Sequence, residues 1–384
     1  MAFSSKERLL RAIRCEPADY VPLCFLMWAG LEQRSSGTED YVQRQLSLGL
    51  DAVVPLPAVG WDHDPRVEIE QWKEHGDPYP LLHKLYRTPE GDIETIVEQT
   101  PDWPHGDDVP MLGDFNIPRS TKFHVADEGD LGPLKWLLGD PDAAAIERFR
   151  RRAEELRLFA DEHGLAVITP LFRLADTVCW LCGPTQFATW SLTQPELLAD
   201  FVRLVAQWQR TQLELQLRAR PDIVARAEWY ATPFLSPDLF DRFLSPILQE
   251  EVELTHRAGA CYCYVGTANM MPFLGILKRI GVDVVYGVDP IEGQWDLRRA
   301  KAECRDSLCL WGGMNGYLQV VHASQDEVEQ AVRSAMDALA PGGGFILCPV
   351  DDVGLGGTDQ NTDEMWQKAW GNVVHMVETW KRLR

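Results

Sequence analysis

Eight short apolar runs, each followed by a helix-like stretch, recur along the chain, and this alternation limits the possible folds more than any other feature. They fall at residues 21–26, 52–56, 166–172, 223–229, 261–265, 282–288, 308–311 and 345–349. Their length, β-branched content and flanking Gly or Pro predict strands. Between them, 195–218 and 236–258 repeat apolar residues at helical spacing. The stretch 324–339 opens with Ser-Gln-Asp-Glu, a capping box, and stops before Pro341 and three glycines. Strands alternating with helices in this number predict a single (β/α)8 TIM barrel. A doubly wound sheet is the alternative, but no GxGxxG follows any of the runs.

Residues 61–138 break the alternation. They are rich in Pro, Gly and Asp, with strand-like pieces at 84–88 and 93–98 around a Pro-Glu-Gly-Asp turn. A stretch this long reads as an insertion forming a lid over the active-site end of the barrel. The expected organisation is one barrel domain over 1–384 carrying that insertion.

The 384 residues hold 37 Lys+Arg against 58 Asp+Glu, a net charge of −21. That balance argues against nucleic-acid binding, which needs clustered cations, and against an anionic membrane surface. No apolar run approaches the ~20 residues that span a bilayer, and residues 1–17 lack a signal-peptide core. A cytoplasmic protein is expected. Nine cysteines with no secretion signal argue against a disulfide framework. The close pairs Cys179/Cys182 and Cys261/Cys263 read as buried thiols in apolar surroundings.

Several segments carry a family resemblance. KERLLRAI at 6–13 followed by PADYVP at 17–22 resembles the opening of uroporphyrinogen decarboxylase superfamily proteins. So do LSPDLFDRF at 235–243, HRAGA at 256–260, LKRIGVD at 277–283, WGGMN at 311–315 and PGGGFILCP at 341–349. The resemblance spans nearly the whole chain in order and implies a (β/α)8 barrel. It implies one of two chemistries, between which fold does not choose. One is cofactor-independent decarboxylation of a porphyrinogen. The other is methyl transfer to or from a corrinoid (cobalamin) carried by a separate protein, in some members with zinc held by His-x-Cys and a later Cys. A homodimer is also implied.

The sequence departs from both patterns. Where the decarboxylases carry several arginines after the first strand, residues 26–35 read LMWAGLEQRS, with Arg34 alone. Where the zinc members carry His-x-Cys, this chain reads VGTAN at 265–269, which leaves Val265 and Thr267 at the ligand positions and retains Asn269. Neither side chain ligates zinc. A displaced site on Cys263, Glu228 and Asp351 is the remaining zinc arrangement, and no metal ligand is assigned.

Catalytic groups of a barrel lie at the C-terminal ends of its strands. Those ends offer Arg173 and Asp176, Glu228, Asn269, Asp289, Asn315 and the pair Asp351/Asp352. Glu228 and Asp351 are the candidate catalytic acids, Glu228 because an apolar strand would raise its pKa. Arg173, Trp28, His63, Trp229, Asn269, Asn315 and Asp289 are the candidate substrate-binding residues. His63 stands between two Asp in the insertion, and the Trp side chains offer aromatic walls. The function expected first is an O-demethylase-like methyltransferase moving a methyl group between a small methylated substrate and a corrinoid on a partner protein. A cofactor-independent decarboxylase or lyase of a small acid, with Arg173 on the carboxylate, stays open. So does a catalytically silent ligand-binding barrel.

Overall fold

A computed structural model describes residues 3–305, 307–351, 353–354 and 363–384. Its strands, in chain order, are β1 (Val53–Pro55), β2 (Glu68–Glu74), β3 (Leu81–Thr88), β4 (Gly91–Glu98), β5 (Ser120–Lys122) and β6 (Ala166–Ile168). They continue as β7 (Ile223–Glu228), β8 (Cys261–Gly266), β9 (Val284–Val288), β10 (Cys309–Asn315) and β11 (Phe345–Val350). β1 and β6 to β11 form a curled seven-stranded sheet in chain order, every pair parallel. Its strands are buried on both faces, as a parallel sheet covered by helices requires.

The first predicted strand, at 21–26, makes only isolated bridges. Leu23 pairs with Leu347 of β11 and Cys24 with Asp51 beside β1, both in parallel. The amide of Leu347 donates to the Pro22 carbonyl at 2.9 Å, and that of Asp51 to the Leu23 carbonyl at 3.0 Å. This segment thus touches both ends of the sheet. Trp311 reinforces the contact by donating its indole N–H to the Cys24 carbonyl at 2.9 Å.

Helix Pro195–Arg218 follows the predicted bounds. The stretch 236–258 is instead two helices, Pro237–Phe243 and Ser245–Arg257, each with a proline in its first turn. Pro246 has no N–H to continue the earlier helix, so the chain must restart there. Helix Gln325–Leu339 has its capping box, the Ser324 hydroxyl accepting from the Glu327 amide while Glu327 reaches back. Gly287 is required for a close approach, since a Cβ there would lie 1.6 Å from the Gly266 carbonyl oxygen.

The 61–138 segment builds a separate antiparallel sheet in the order β2-β3-β4-β5. β3 and β4 form the predicted hairpin, with Thr88 opposite Gly91. No disulfide joins the nine cysteines, and all but Cys15 are buried. Among the described residues, no helix is long and apolar enough to cross a membrane.

Candidate active site

Alternation along β7 sorts its side chains. Arg226 points toward the helices, where it pairs with Glu251 of helix Ser245–Arg257 and donates to Gln209 at 2.5 Å. Glu228, two residues on, shares that face. Cys263 stands opposite Ala225 in the β7–β8 register, so it lies on the other face of the sheet from Glu228. Burial also raises the Cys263 thiol pKa, which disfavours the thiolate that zinc needs. The displaced zinc arrangement therefore does not fit, and Val265 and Thr267 supply no ligand in its place. Among the described residues, no group of three or more His, Cys, Asp or Glu is arranged to hold a metal.

Glu228 is fully buried. Its two carboxyl oxygens accept the amides of Leu174 at 2.8 Å and Asp176 at 2.9 Å. Asp176, also fully buried, reciprocates by accepting the amides of Trp229, Tyr230 and Ala231, each at 2.8 Å. The two carboxyls thus clasp the loop after β6 to the loop after β7. Burial first, and then the neighbouring Asp176, pushes the Glu228 pKa up to about 8. Burial likewise raises Asp176 despite its three amide donors. Two carboxyls this close in a dry site do not both ionise readily.

The clasped loop presents Arg173 to a cavity of about 290 Å³. Its walls include Trp180, Trp208, Gln209, Gln212 and Trp229, with Asp114 of the insertion at the rim. The guanidinium lies 4.6 Å from the Trp229 ring centroid and 5.4 Å from that of Trp180. Among the described residues it forms no salt bridge and no side-chain hydrogen bond. Arg173 Nε, Trp180 Nε1, Trp229 Nε1 and Gln212 Nε2 are all buried without a partner. Burial lowers the Arg173 pKa, and the charges of Asp176, Glu228 and Asp114 oppose it only from a distance.

A second polar group gathers beyond β9 and β10. Asn315, fully buried, donates its side-chain amide to Asp289 at 2.8 Å and to Glu292 at 3.1 Å. Its carbonyl accepts the Leu318 amide at 2.6 Å. Asp289 is itself buried and accepts the Ile291 amide at 2.8 Å.

The remaining candidates lie apart from the Arg173 cavity. Trp28 is buried in an aromatic cluster, 4.4 Å from Phe25 and 5.9 Å from Trp370 between ring centroids. His63 engages its own loop, with Nδ1 3.0 Å from the Asp64 carbonyl. Asn269 is exposed and caps the Met271 amide at 3.1 Å. Asp351 is exposed at the end of β11 with a left-handed backbone, φ 72°, while Asp352 lies outside the described residues. Sequence reasoning missed Gln209, Gln212, Asp114 and Glu292. The two glutamines are three apart on one helix, so they share a face, which was the available signal.

These features define an α/β protein with polar groups gathered beyond the C-terminal ends of parallel strands. The chain belongs to the uroporphyrinogen decarboxylase (URO-D) family, whose model matches residues 151–366. Its fold is similar to that of a methyltransferase from Methanosarcina mazei, with a TM-score of 0.61 and 16% identity over 99% of both chains. It is less similar to D-psicose 3-epimerase from Clostridium cellulolyticum H10, at TM-score 0.38, 12% identity, and 67% of this chain against 92% of that one. The 3-keto-D-glucoside 4-epimerase YcjR from E. coli gives TM-score 0.37 and 12% identity over 69% and 96% of the two chains. No curated protein matches the chain in sequence.

Proposed function

We infer that the chain is a URO-D-family methyltransferase that moves a methyl group between a small methylated substrate and a corrinoid on a partner protein. In this reading the segment at 23–24 closes the sheet into an eight-stranded barrel, and the 61–138 insertion serves as its lid within one domain. The observation that carries the reading is the likeness in fold to a methyltransferase over 99% of both chains. The region that would grip a porphyrinogen supports it. Arg34 is drawn aside there, donating to the Gly30 carbonyl at 3.0 Å and stacking 4.3 Å from the Trp366 ring centroid. One arginine so engaged does not neutralise many carboxylates.

The corrinoid would take up or give the methyl group; everything else falls to this chain. Arg173 and the indoles of Trp180 and Trp229 hold the substrate. Glu228 and Asp176 position the Arg173 loop, since both are enclosed and neither lines the cavity. Asp351 is the exposed carboxyl of the two candidate acids, at the end of β11 and apart from that cavity. Asp289 and Asn315 form a separate buried polar group at the ends of β9 and β10.

A second reading, a cofactor-independent decarboxylase or lyase of a small acid, is favoured by one observation, the unpaired Arg173 facing a cavity. One experiment separates the two. The purified protein is incubated with added cob(I)alamin and a panel of methanol, methylamines, methylated thiols and methoxylated acids. Methyl transfer predicts methylation of the cobalamin with at least one donor, read from its absorption spectrum, and its loss in Arg173→Gln. No methylation by any donor, together with carbon dioxide release from a small acid without corrinoid, overturns it.

A further inference from the structure

The Arg173 cavity is lined by a cation that meets no anion among the described residues. Arg173 Nε, Trp180 Nε1, Trp229 Nε1 and Gln212 Nε2 all lack partners, and all four residues line the same space. These enclosed atoms give the cavity walls a polar character. The cation narrows the chemistry further. In a chain of net charge −21, Arg173 lies against two indoles, with no carboxylate in salt-bridge range among the described residues. Stacking occupies the faces of a guanidinium and leaves its edge, a fork of N–H groups matching a carboxylate bidentately.

The loop is built to hold the charge there. Besides the Glu228 and Asp176 clasp, the Arg173 carbonyl accepts from Gln209 and from the Thr177 hydroxyl, the latter at 2.6 Å. Gln209 in turn accepts from Arg226 of the buried ion pair. Asp114, exposed on the insertion, also lines the cavity.

We propose that this cavity is a binding site for a small planar carboxylate, taken edge-on by Arg173 between the Trp180 and Trp229 rings. A volume of about 290 Å³ suits a monocyclic acid. The site names the substrate class for the methyl-transfer reading and rests on that reading only for its place in a reaction. Binding itself needs no corrinoid and no turnover.

The test is calorimetric titration of the full chain with acetate, benzoate, benzamide and inorganic phosphate. Benzoate is expected to bind and benzamide to bind roughly tenfold or more weakly, the difference being one charge-assisted pair. Arg173→Gln is expected to abolish the preference and Arg173→Lys to keep part of it. Asp114→Asn is expected to tighten benzoate binding by removing a like charge. No binding of either acid, equal binding of acid and amide, phosphate binding tighter than both acids, or an unaltered Arg173→Gln titration would each overturn the proposal. Carboxylate binding without methyl transfer would sink only the assignment of the reaction; methyl transfer without carboxylate binding would sink only this site.

Discussion

Two arginines beside the same strand end show what separates structure from site. Arg226 lies in β7 and Arg173 on the loop after β6, and Gln209 links them, accepting from one and donating to the carbonyl of the other. Arg226 is 1% exposed and fully satisfied by Glu251 and Gln209, while Glu251 also accepts the Tyr262 hydroxyl at 2.6 Å. Burial alone would depress the Arg226 pKa, yet the facing Glu251 raises it. Arg173 has the indoles and, among the described residues, no paired anion, and burial lowers its pKa. A charge with a complete set of partners has its work inside the fold. One with donors to spare has it outside.

The sharpest way to break this contrast is to remove one member of the satisfied pair. Arg226→Met leaves Glu251 buried without its cation, and the loss is expected to be about 3–5 kcal/mol in urea denaturation. The double variant Arg226→Met/Glu251→Met removes both charges and is expected to recover most of that stability. A single variant as stable as the parent would place Arg226 in the same category as Arg173.

Next in size comes the carboxyl clasp. Glu228→Gln sets an amide NH2 against the amides of Leu174 or Asp176, which now face a donor. The expected cost is about 1–3 kcal/mol, with weaker benzoate binding because the Arg173 loop loosens. The clasp also has a pH signature. Glu228 titrates near 8 in the folded chain against an ordinary value of 4.5, so between those values the native state holds a proton that the unfolded chain gives up. Its contribution to stability therefore falls as pH rises from about 4.5 to about 8, and is constant beyond. Asp176 acts in the same direction. Thermal denaturation at pH 6 and pH 8.5 should show a larger drop for the parent than for Glu228→Gln.

Much of this architecture was legible in the sequence. Apolar runs bounded by Gly and Pro located the strands of the parallel sheet, and the capping box located helix Gln325–Leu339. Residues 21–26 looked as strand-like as the rest but make only two bridges, because hydrophobicity reports burial and not how long two backbones stay in register. The site was legible by residue type more than by role. Glu228 was identified from its apolar strand, and the burial inferred from that pattern raises its pKa. Alternation set it among the helices, on the face of Arg226. Gln209, Gln212 and Asp114 were not legible, because they converge with Arg173 only in three dimensions. Trp28 and Trp229 are indistinguishable in sequence; packing alone sends one into an aromatic cluster and the other to the cavity wall.

The smallest expected effect is the most telling for the comparison. Arg173→Met removes a half-buried cation whose charge is disfavoured by burial, and this should stabilise the fold. It also removes two cation–π contacts, each worth about 0.5–1 kcal/mol. The two terms oppose, so the net change in stability is expected to stay within about 1 kcal/mol. Urea denaturation checks this, alongside the Arg226→Met curve measured under the same conditions. A loss as large as that of Arg226→Met would mean that Arg173 holds the fold together, and its missing partners would then need an explanation inside the protein. A near-zero change with carboxylate binding lost leaves the ligand as what Arg173 is there to meet.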